Sequence, residues 1–318
     1  MIGRLIKMLS SNPLVSVIIP TYKRSDMLVD AIKSVKNQTY KNIEIIVIDD
    51  NGINSKYTKE NKLKLKNYIE SNDIKYIQNK DNIGGALSRN IGVNEALGKY
   101  IAFLDDDDTY MPTKIEKQVK LIEENIKNGV GLVYCYCNGI DEFGNIIWEN
   151  TNSYSGLPLY ESMIYCIAST SLWLCDRKML LDIGGFEDMP SKQDLLLMVR
   201  IITNGYKILC VEEKLVNYLE HSREKISSNR PKQSIVDGWN ILRNYCRKSY
   251  FKLDNNLIKD VEYRFARTLC LQYIGLNNKN MALNEYKLML KNKSFSRGNL
   301  SMLYRIIFGF KEKNLCQK

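Results

Sequence analysis

Tyr100-Ile101-Ala102-Phe103-Leu104-Asp105-Asp106-Asp107-Asp108 runs an apolar stretch straight into four carboxylates. A short apolar run rich in β-formers reads as a buried strand, so the acidic side chains leave together from its C-terminal end. In open α/β sheets that end is where ligands bind. Adjacent carboxylates repel one another and hold protons unless a cation or hydrogen-bond donors offset the repulsion, and such oxygen clusters suit hard divalent cations. The run therefore predicts a metal that holds a phosphate-bearing ligand. Taken alone, it reads equally as a solvated acidic turn ahead of the helix that follows Pro112.

Upstream, strand and helix signals alternate as in repeated βαβ units. Val15-Ser16-Val17-Ile18-Ile19 reads as a strand, followed by a helix capped by Asp26 with Leu28, Ile32 and Val35 on one face. Residues 43–48 form a second strand that ends in Asp49-Asp50-Asn51-Gly52, another acidic strand end. A lysine-rich helix through Leu63 and Ile69, a short strand at 74–77 and a helix over 86–97 lead to the aspartates. Downstream, 112–126 reads as a helix, 130–137 as a strand, Asp141-Glu142-Phe143-Gly144-Asn145 as a turn, and 148–159 as an irregular loop. A helix over 193–203, closed by Asn204-Gly205, precedes strands at 207–211 and 215–219.

Ser227-Ser228-Asn229-Arg230-Pro231 marks a boundary, giving an α/β domain over 1–230 and a helical C-terminal extension over 231–318. In the extension Ile235, Trp239, Leu242 and Cys246 form one helical stripe, and Leu257, Val261, Phe265 and Leu269 another. Residues 300–311 mix Leu303, Ile306, Ile307, Phe308 and Phe310 with Arg305 and Lys311. That mixture fits an interfacial membrane helix and a packed helix equally well.

Of the 318 residues, 44% are hydrophobic and 26% charged, a globular balance that argues against extended disorder and against a polytopic membrane protein. No apolar stretch reaches the roughly 20 residues that cross a bilayer, and the N-terminus lacks the apolar core of a secretory signal, so a cytoplasmic protein is expected. Cys135, Cys137, Cys166, Cys175 and Cys210 lie mostly in apolar runs without framework spacing, which reads as reduced thiols. Cys135-x-Cys137 and a single histidine, His221, do not make a zinc site. The net charge of +10 is unevenly placed: residues 226–318 carry 18 Lys and Arg against 6 Asp and Glu, and the first 225 residues carry 28 against 30. Such a basic tail either serves solubility or meets an anionic partner, phospholipid headgroups or nucleic acid, and no nucleic-acid-binding motif is present.

Pro20-Thr21-Tyr22-Lys23-Arg24, Asp49-Asp50-Asn51, Asn82-Ile83-Gly84-Gly85-Ala86 with Arg89-Asn90, the aspartate run, Gly184-Gly185-Phe186, Gln193-Asp194 with Arg200, and His221 follow one another over 14–230. Together they resemble glycosyltransferase family 2. The resemblance implies the GT-A fold, a Rossmann-like, mostly parallel α/β sheet flanked by helices, and an inverting, metal-dependent transfer from a UDP-sugar. A dinucleotide-binding Rossmann enzyme is disfavoured, because Gly84-Gly85 does not continue as G-x-G-x-x-G.

By the same resemblance Pro20, Thr21, Tyr22 and Arg24 border the nucleotide, with Tyr22 offering a flat face to the base. Asp50 accepts from the uracil imide beside Asp49, although both residues also suit a plain turn. Arg89 lies near the nucleotide, or else pairs with Glu95. Asp107 holds Mn²⁺ or Mg²⁺ with Asp105 or Asp106 on the ribose side, the repetition leaving the register open by one, and His221 adds an imidazole. Asp194 matches the base that takes the acceptor hydroxyl's proton, and its position also suits the start of a helix. Relatives carry Glu where this chain has Gln193. Arg200 neutralises a carboxylate or a phosphate, and Gly184-Gly185-Phe186 forms either a turn lining the sugar and acceptor pocket or a hydrophobic corner. The implied acceptor is a glycan or lipid-linked hydroxyl in bacterial capsule, surface polysaccharide or glycolipid synthesis. The basic helices would bring the protein peripherally to the inner face of the cell membrane. The competing expectation is a catalytically silent nucleotide-sugar-binding partner subunit.

Overall fold

The computed structural model describes residues 12–220, 231–293 and 297–308. They fall into two compact units, one of 12–158, 167–188 and 200–220, the other of 159–166, 189–199 and the described residues from 231 onward.

The first unit is built on a nine-stranded sheet, comprising β1 (Val15–Thr21), β2 (Ile43–Asp49), β3 (Lys75–Gln78), β4 (Tyr100–Phe103), β5 (Thr109–Tyr110), β6 (Val130–Ile140), β7 (Ile146–Asn150), β8 (Leu174–Asp176) and β9 (Lys207–Leu219). Their order is β3-β2-β1-β4-β8-β6-β9-β5, with β7 beside β6. β1 pairs in parallel with β2 and β4, β2 with β3, and β6 with β9, whereas β5, β7 and β8 run antiparallel to their neighbours. The architecture is therefore the expected mostly parallel sheet flanked by helices. All seven residues of β1 are buried, which explains why apolar side chains face both sides of the sheet at Val17, Ile18 and Ile19 in place of alternation. Parallel pairing aligns the C-terminal ends of β1, β2 and β4, so Thr21, Asp49 and the aspartate run emerge on one edge.

Helix α1 (Ser25–Lys36) buries Leu28, Ala31, Ile32 and Val35 at helical spacing. Its N-cap is Arg24, not Asp26, which sits in the first turn and pairs with Lys64. The lysine-rich segment divides into helices Lys56–Lys64 and Lys66–Glu70, because the fully buried residue is Leu65 at the break while Leu63 stays 76% exposed. Helix α2 (Gly85–Glu95) packs on β1, and α3 (Lys114–Asn125) packs on β6. Lys114 is fully buried, its Nζ donating to the Trp173 carbonyl at 3.2 Å and lying 4.0 Å from the Tyr110 ring centroid. Burial pushes its pKa down to about 8. The stretch read as a loop from residue 148 begins inside β7, which gains main-chain partners from the upper half of β6. The two strands read at 207–211 and 215–219 are one, β9, because a register shift opposite Cys135 and Tyr136 lets Glu212 and Glu213 bulge into solvent.

In the second unit α4 (Gln193–Thr203) contributes residues 193–199, followed by α5 (Lys232–Arg247), α6 (Asn255–Gly275), α7 (Lys279–Asn292) and α8 (Arg297–Phe308). Of the two expected stripes, Leu242, Cys246, Val261, Phe265 and Leu269 are buried, and Ile235, Trp239 and Leu257 half-buried. A polar cluster lies among these helices: Arg243 reaches Glu262 at 2.5 Å and Glu285 at 2.9 Å, and Arg247 reaches Glu262 at 2.7 Å. Among the described residues no helix is long and apolar enough to cross a membrane, and no cysteine is in a disulfide. Cys166 is exposed, unlike the thiols buried in the sheet.

Candidate active site

The four aspartates close a tight turn, the Asp108 amide donating to the Asp105 carbonyl at 3.0 Å. The turn sends alternate side chains in opposite directions. Asp106 points inward and accepts from Thr21 Oγ1 at 2.7 Å, the Tyr22 amide at 3.2 Å and Arg24 Nη1 at 3.1 Å. Asp108 also points inward, accepting from Ser171 Oγ at 2.6 Å and the Leu219 amide at 3.3 Å. Asp105 and Asp107 keep 31% and 16% of their side chains exposed, and pair with Arg89 and Arg24 respectively. Burial, with the neighbouring Asp107 charge, pushes Asp106 up to about 7 against the opposing pull of Arg24 and Thr21. Burial likewise pushes Asp108 well above the carboxylate range, helped by Asp105 and Asp107 and opposed by Ser171. Burial and like charge thus both disfavour ionisation of the inward pair, and the hydrogen-bond donors on each carboxyl offset part of that cost.

The four side chains thus divide into an outward pair, Asp105 and Asp107, and an inward pair, Asp106 and Asp108. A pocket of about 110 Å³ beside the turn is lined by Asp107 and Asp108 together with Met27, Asp30, Ile140 and Leu219. Among the described residues no three His, Cys, Asp or Glu side chains are grouped to hold a metal by themselves. A divalent cation that completes its shell with water and substrate phosphate needs only one or two carboxylates, and Asp107 at the pocket wall fits that demand. The residue His221 lies outside the described residues.

The other expected nucleotide contacts separate by exposure. Tyr22 and Arg24 are half-buried, with Lys23 Nζ 4.7 Å from the Tyr22 ring centroid. Pro20 is buried in β1 and Thr21 is 1% exposed with its hydroxyl on Asp106, so both shape the edge from beneath. Asp50 is 3% exposed, and its two oxygens accept from Asn79 and Asn82 Nδ2 and from the Ile83 and Gly84 amides, at 2.8 to 2.9 Å. Asp50 therefore clasps the loop entering α2, and Gly84 with φ +86 lets that loop turn. Asp49 is enclosed by Asn51, Thr58, Asn61 and Tyr76. Arg89 pairs with Asp105 and not with Glu95, which is taken by Lys75. Gly184-Gly185-Phe186 is a hydrophobic corner: Phe186 is 3% exposed, stacks on Trp173 at 6.4 Å and meets Phe103 edge-on at 5.4 Å. Asn90 clamps its amide and carbonyl at 2.8 Å each, and Arg200 holds the Gly185 carbonyl at 2.7 Å and pairs with Glu187 at 3.1 Å.

Residues that the sequence did not single out complete the turn. Ser171 Oγ accepts from the Asp105 amide at 3.1 Å while donating to Asp108, so it ties both ends together. In the second unit Asp194 is half-buried in the first turn of α4, with Cys166 Sγ 3.9 Å from its Oδ2, and Gln193 Nε2 donates to the Met189 carbonyl at 2.9 Å.

Residues 16–184 match the family model described as Glycosyl transferase family 2. The Methanocaldococcus jannaschii protein Uncharacterized glycosyltransferase MJ1057 is 32% identical over 75% of this chain and 84% of its own length. A second relative, UDP-Glc:alpha-D-GlcNAc-diphosphoundecaprenol beta-1,3-glucosyltransferase WfaP of Escherichia coli, is 31% identical over 83% of this chain and 93% of its own. Other curated relatives are much longer, and the matching region spans 17 to 19% of their lengths. Among solved structures, S. aureus TarS 1-349 in complex with UDP-GlcNAc superposes with a TM-score of 0.58 at 17% identity, covering 86% of this chain and 90% of that one. At that identity the likeness shows the GT-A fold alone.

Proposed function

Because the chain belongs to glycosyltransferase family 2, we propose that it moves a sugar from a UDP-sugar to a hydroxyl of a lipid-linked or glycan acceptor, with inversion at the anomeric carbon. The observation that carries this reading is the division of the aspartate turn. Two inward carboxyls, braced by Thr21, Arg24, Ser171 and Leu219, fix a turn that leaves two outward ones partly exposed, with Asp107 at the wall of a pocket. Such bracing would fix carboxylate oxygens where a divalent cation could be held and, through it, a diphosphate.

In this reading Asp105 meets the ribose, and Arg24 and Arg89, counter-charges of the outward pair, are placed to meet phosphate when the donor enters. Asp107 would hold Mn²⁺ or Mg²⁺, with His221 as a further ligand by family resemblance. Bound there, the cation would offset negative charge on the departing nucleoside diphosphate. Tyr22 offers a half-buried ring to the uracil. Asp194 takes the proton from the acceptor hydroxyl as that oxygen attacks C1 from the face opposite the leaving group. The first-turn position of Asp194 favours negative charge there. A diphosphoundecaprenol-linked acceptor, the kind named for the E. coli relative, supports synthesis of a surface polysaccharide.

Thermal melting of the whole chain with UDP, UDP-glucose and UDP-GlcNAc, with and without Mn²⁺, tests the donor site. Donor at about 100 times its Kd should add roughly 2.7 kcal/mol of stability, and Asp107→Ala should remove the Mn²⁺-dependent part. Asp194→Asn should leave that stabilisation intact and lower transfer roughly 10²- to 10⁴-fold. Donor binding without transfer to any lipid-linked or glycan acceptor would favour a silent binding subunit, and no stabilisation by any nucleotide would reject the donor site.

A further inference from the structure

Helix α8 is apolar on two opposite sides. Met302 and Ile306, each 3% exposed, enter the core of the second unit with Ala266, Leu269, Tyr286 and Met289. Leu300, Tyr304 and Ile307 recur at i, i+4 and i+7, and are 52%, 63% and 52% exposed. That spacing puts them on one stripe, turned roughly half a revolution from Met302 and Ile306. A helix whose packing were complete would carry polar residues there.

The segment that carries the stripe is rich in cations. Residues 279–308 hold Lys279, Lys287, Lys291, Lys293, Arg297 and Arg305 against a single acid, Glu285. Glu285 is buried on Arg243, and Asp260 of α6 pairs with Lys293 at 3.6 Å, so the cations that carry the argument are those of α7. Lys279, Lys287 and Lys291 are exposed, and Lys279 Nζ lies 3.5 Å from the Ile307 carbonyl, placing an ammonium at the C-terminal end of the stripe.

We propose that α8 is a membrane-docking helix, with Leu300, Tyr304 and Ile307 seated at the headgroup and acyl boundary of an anionic phospholipid surface and the α7 lysines on its headgroups. An apolar stripe flanked by cations is what such a surface recognises, and a tyrosine suits the interface with its apolar ring and polar tip. A second copy of the chain is a poorer occupant, because a two-fold contact through this face would set the same cations against each other. A nucleic acid would use the cations and leave the apolar stripe wet. The proposal does not depend on the transfer reaction, and its test reads no sugar transfer.

The test is co-sedimentation of the full chain with vesicles of about one-third phosphatidylglycerol in phosphatidylcholine, against pure phosphatidylcholine. Binding should require the anionic lipid, weaken with salt, and fall roughly tenfold or more in Leu300→Gln/Tyr304→Gln/Ile307→Gln with unchanged far-UV circular dichroism. Should the triple variant not fold, Tyr304→Trp decides: the indole fluorescence it adds over wild type should shift to the blue on the anionic vesicles only. Equal binding by wild type and folded variant, absence of binding, an unshifted emission in Tyr304→Trp, or a dimer in sedimentation equilibrium that the triple variant dissolves would each overturn the proposal.

Discussion

Ser171 bears on the aspartate turn from 63 residues away in sequence, and one hydroxyl serves both Asp105 and Asp108. Ser171→Ala should cost about 1–3 kcal/mol, because it takes the shorter of two hydrogen bonds from the buried Asp108 carboxyl and leaves it the Leu219 amide at 3.3 Å. Urea unfolding measures that loss, and donor titration should show weaker binding through a loosened turn. Nothing around Ser171 in the sequence marks it, since the hydroxyl matters only once β4 and the short helical turn Thr170–Leu172 are neighbours. The acidic run itself was plain, because four carboxylates after an apolar strand are a local pattern. Which of them face inward was not, since Thr21, Arg24 and Leu219 decide it from other strand ends. Lys114 teaches the same lesson: it reads as an ordinary helix lysine and is fully buried under Trp173 and Tyr110.

At the scale of elements, α2 meets β1 through Gly92, where a Cβ would stand 2.4 Å from Ile18 Cγ2. Alanine is the better helix former by roughly 1 kcal/mol, whereas overpacking a filled contact costs typically about 1–3 kcal/mol. The second effect should prevail, so Gly92→Ala should lower stability by about 1 kcal/mol or more, read from the urea midpoint at constant slope. The parallel strands and amphipathic helices of the first unit were legible because burial on both faces writes continuous apolar runs and one-face burial writes a helical stripe. β7 and the bulge in β9 were not, because β7 is exposed along most of its length and the bulge depends on register against β6.

Across the whole molecule, charge is divided as the sequence divides it, with the cations concentrated beyond residue 225. Within that basic segment Glu262 is held tightly. Burial would raise Glu262, but hydrogen bonds from Arg247 and Arg243 overcome it and hold the carboxyl down to about 2. In the unfolded chain this group takes its proton near 4.5, so its contribution to stability is complete above that pH and disappears as pH falls toward 2. Glu285, pushed up mainly by burial, works in the opposite direction. Acid unfolding followed by circular dichroism should therefore show a loss over that window that is shallower in Glu262→Gln, a variant already less stable at neutral pH because Arg243 and Arg247 lose their charged partner. Sequence by itself determined the alternating α/β order, the helical C-terminal part, the charge asymmetry and the acidic strand end, because each is written in residues close together along the chain. Tertiary structure alone decided which aspartates face outward, which polar groups brace them and which stripe of α8 stays exposed, because those outcomes depend on contacts between segments that only folding brings within a few ångströms.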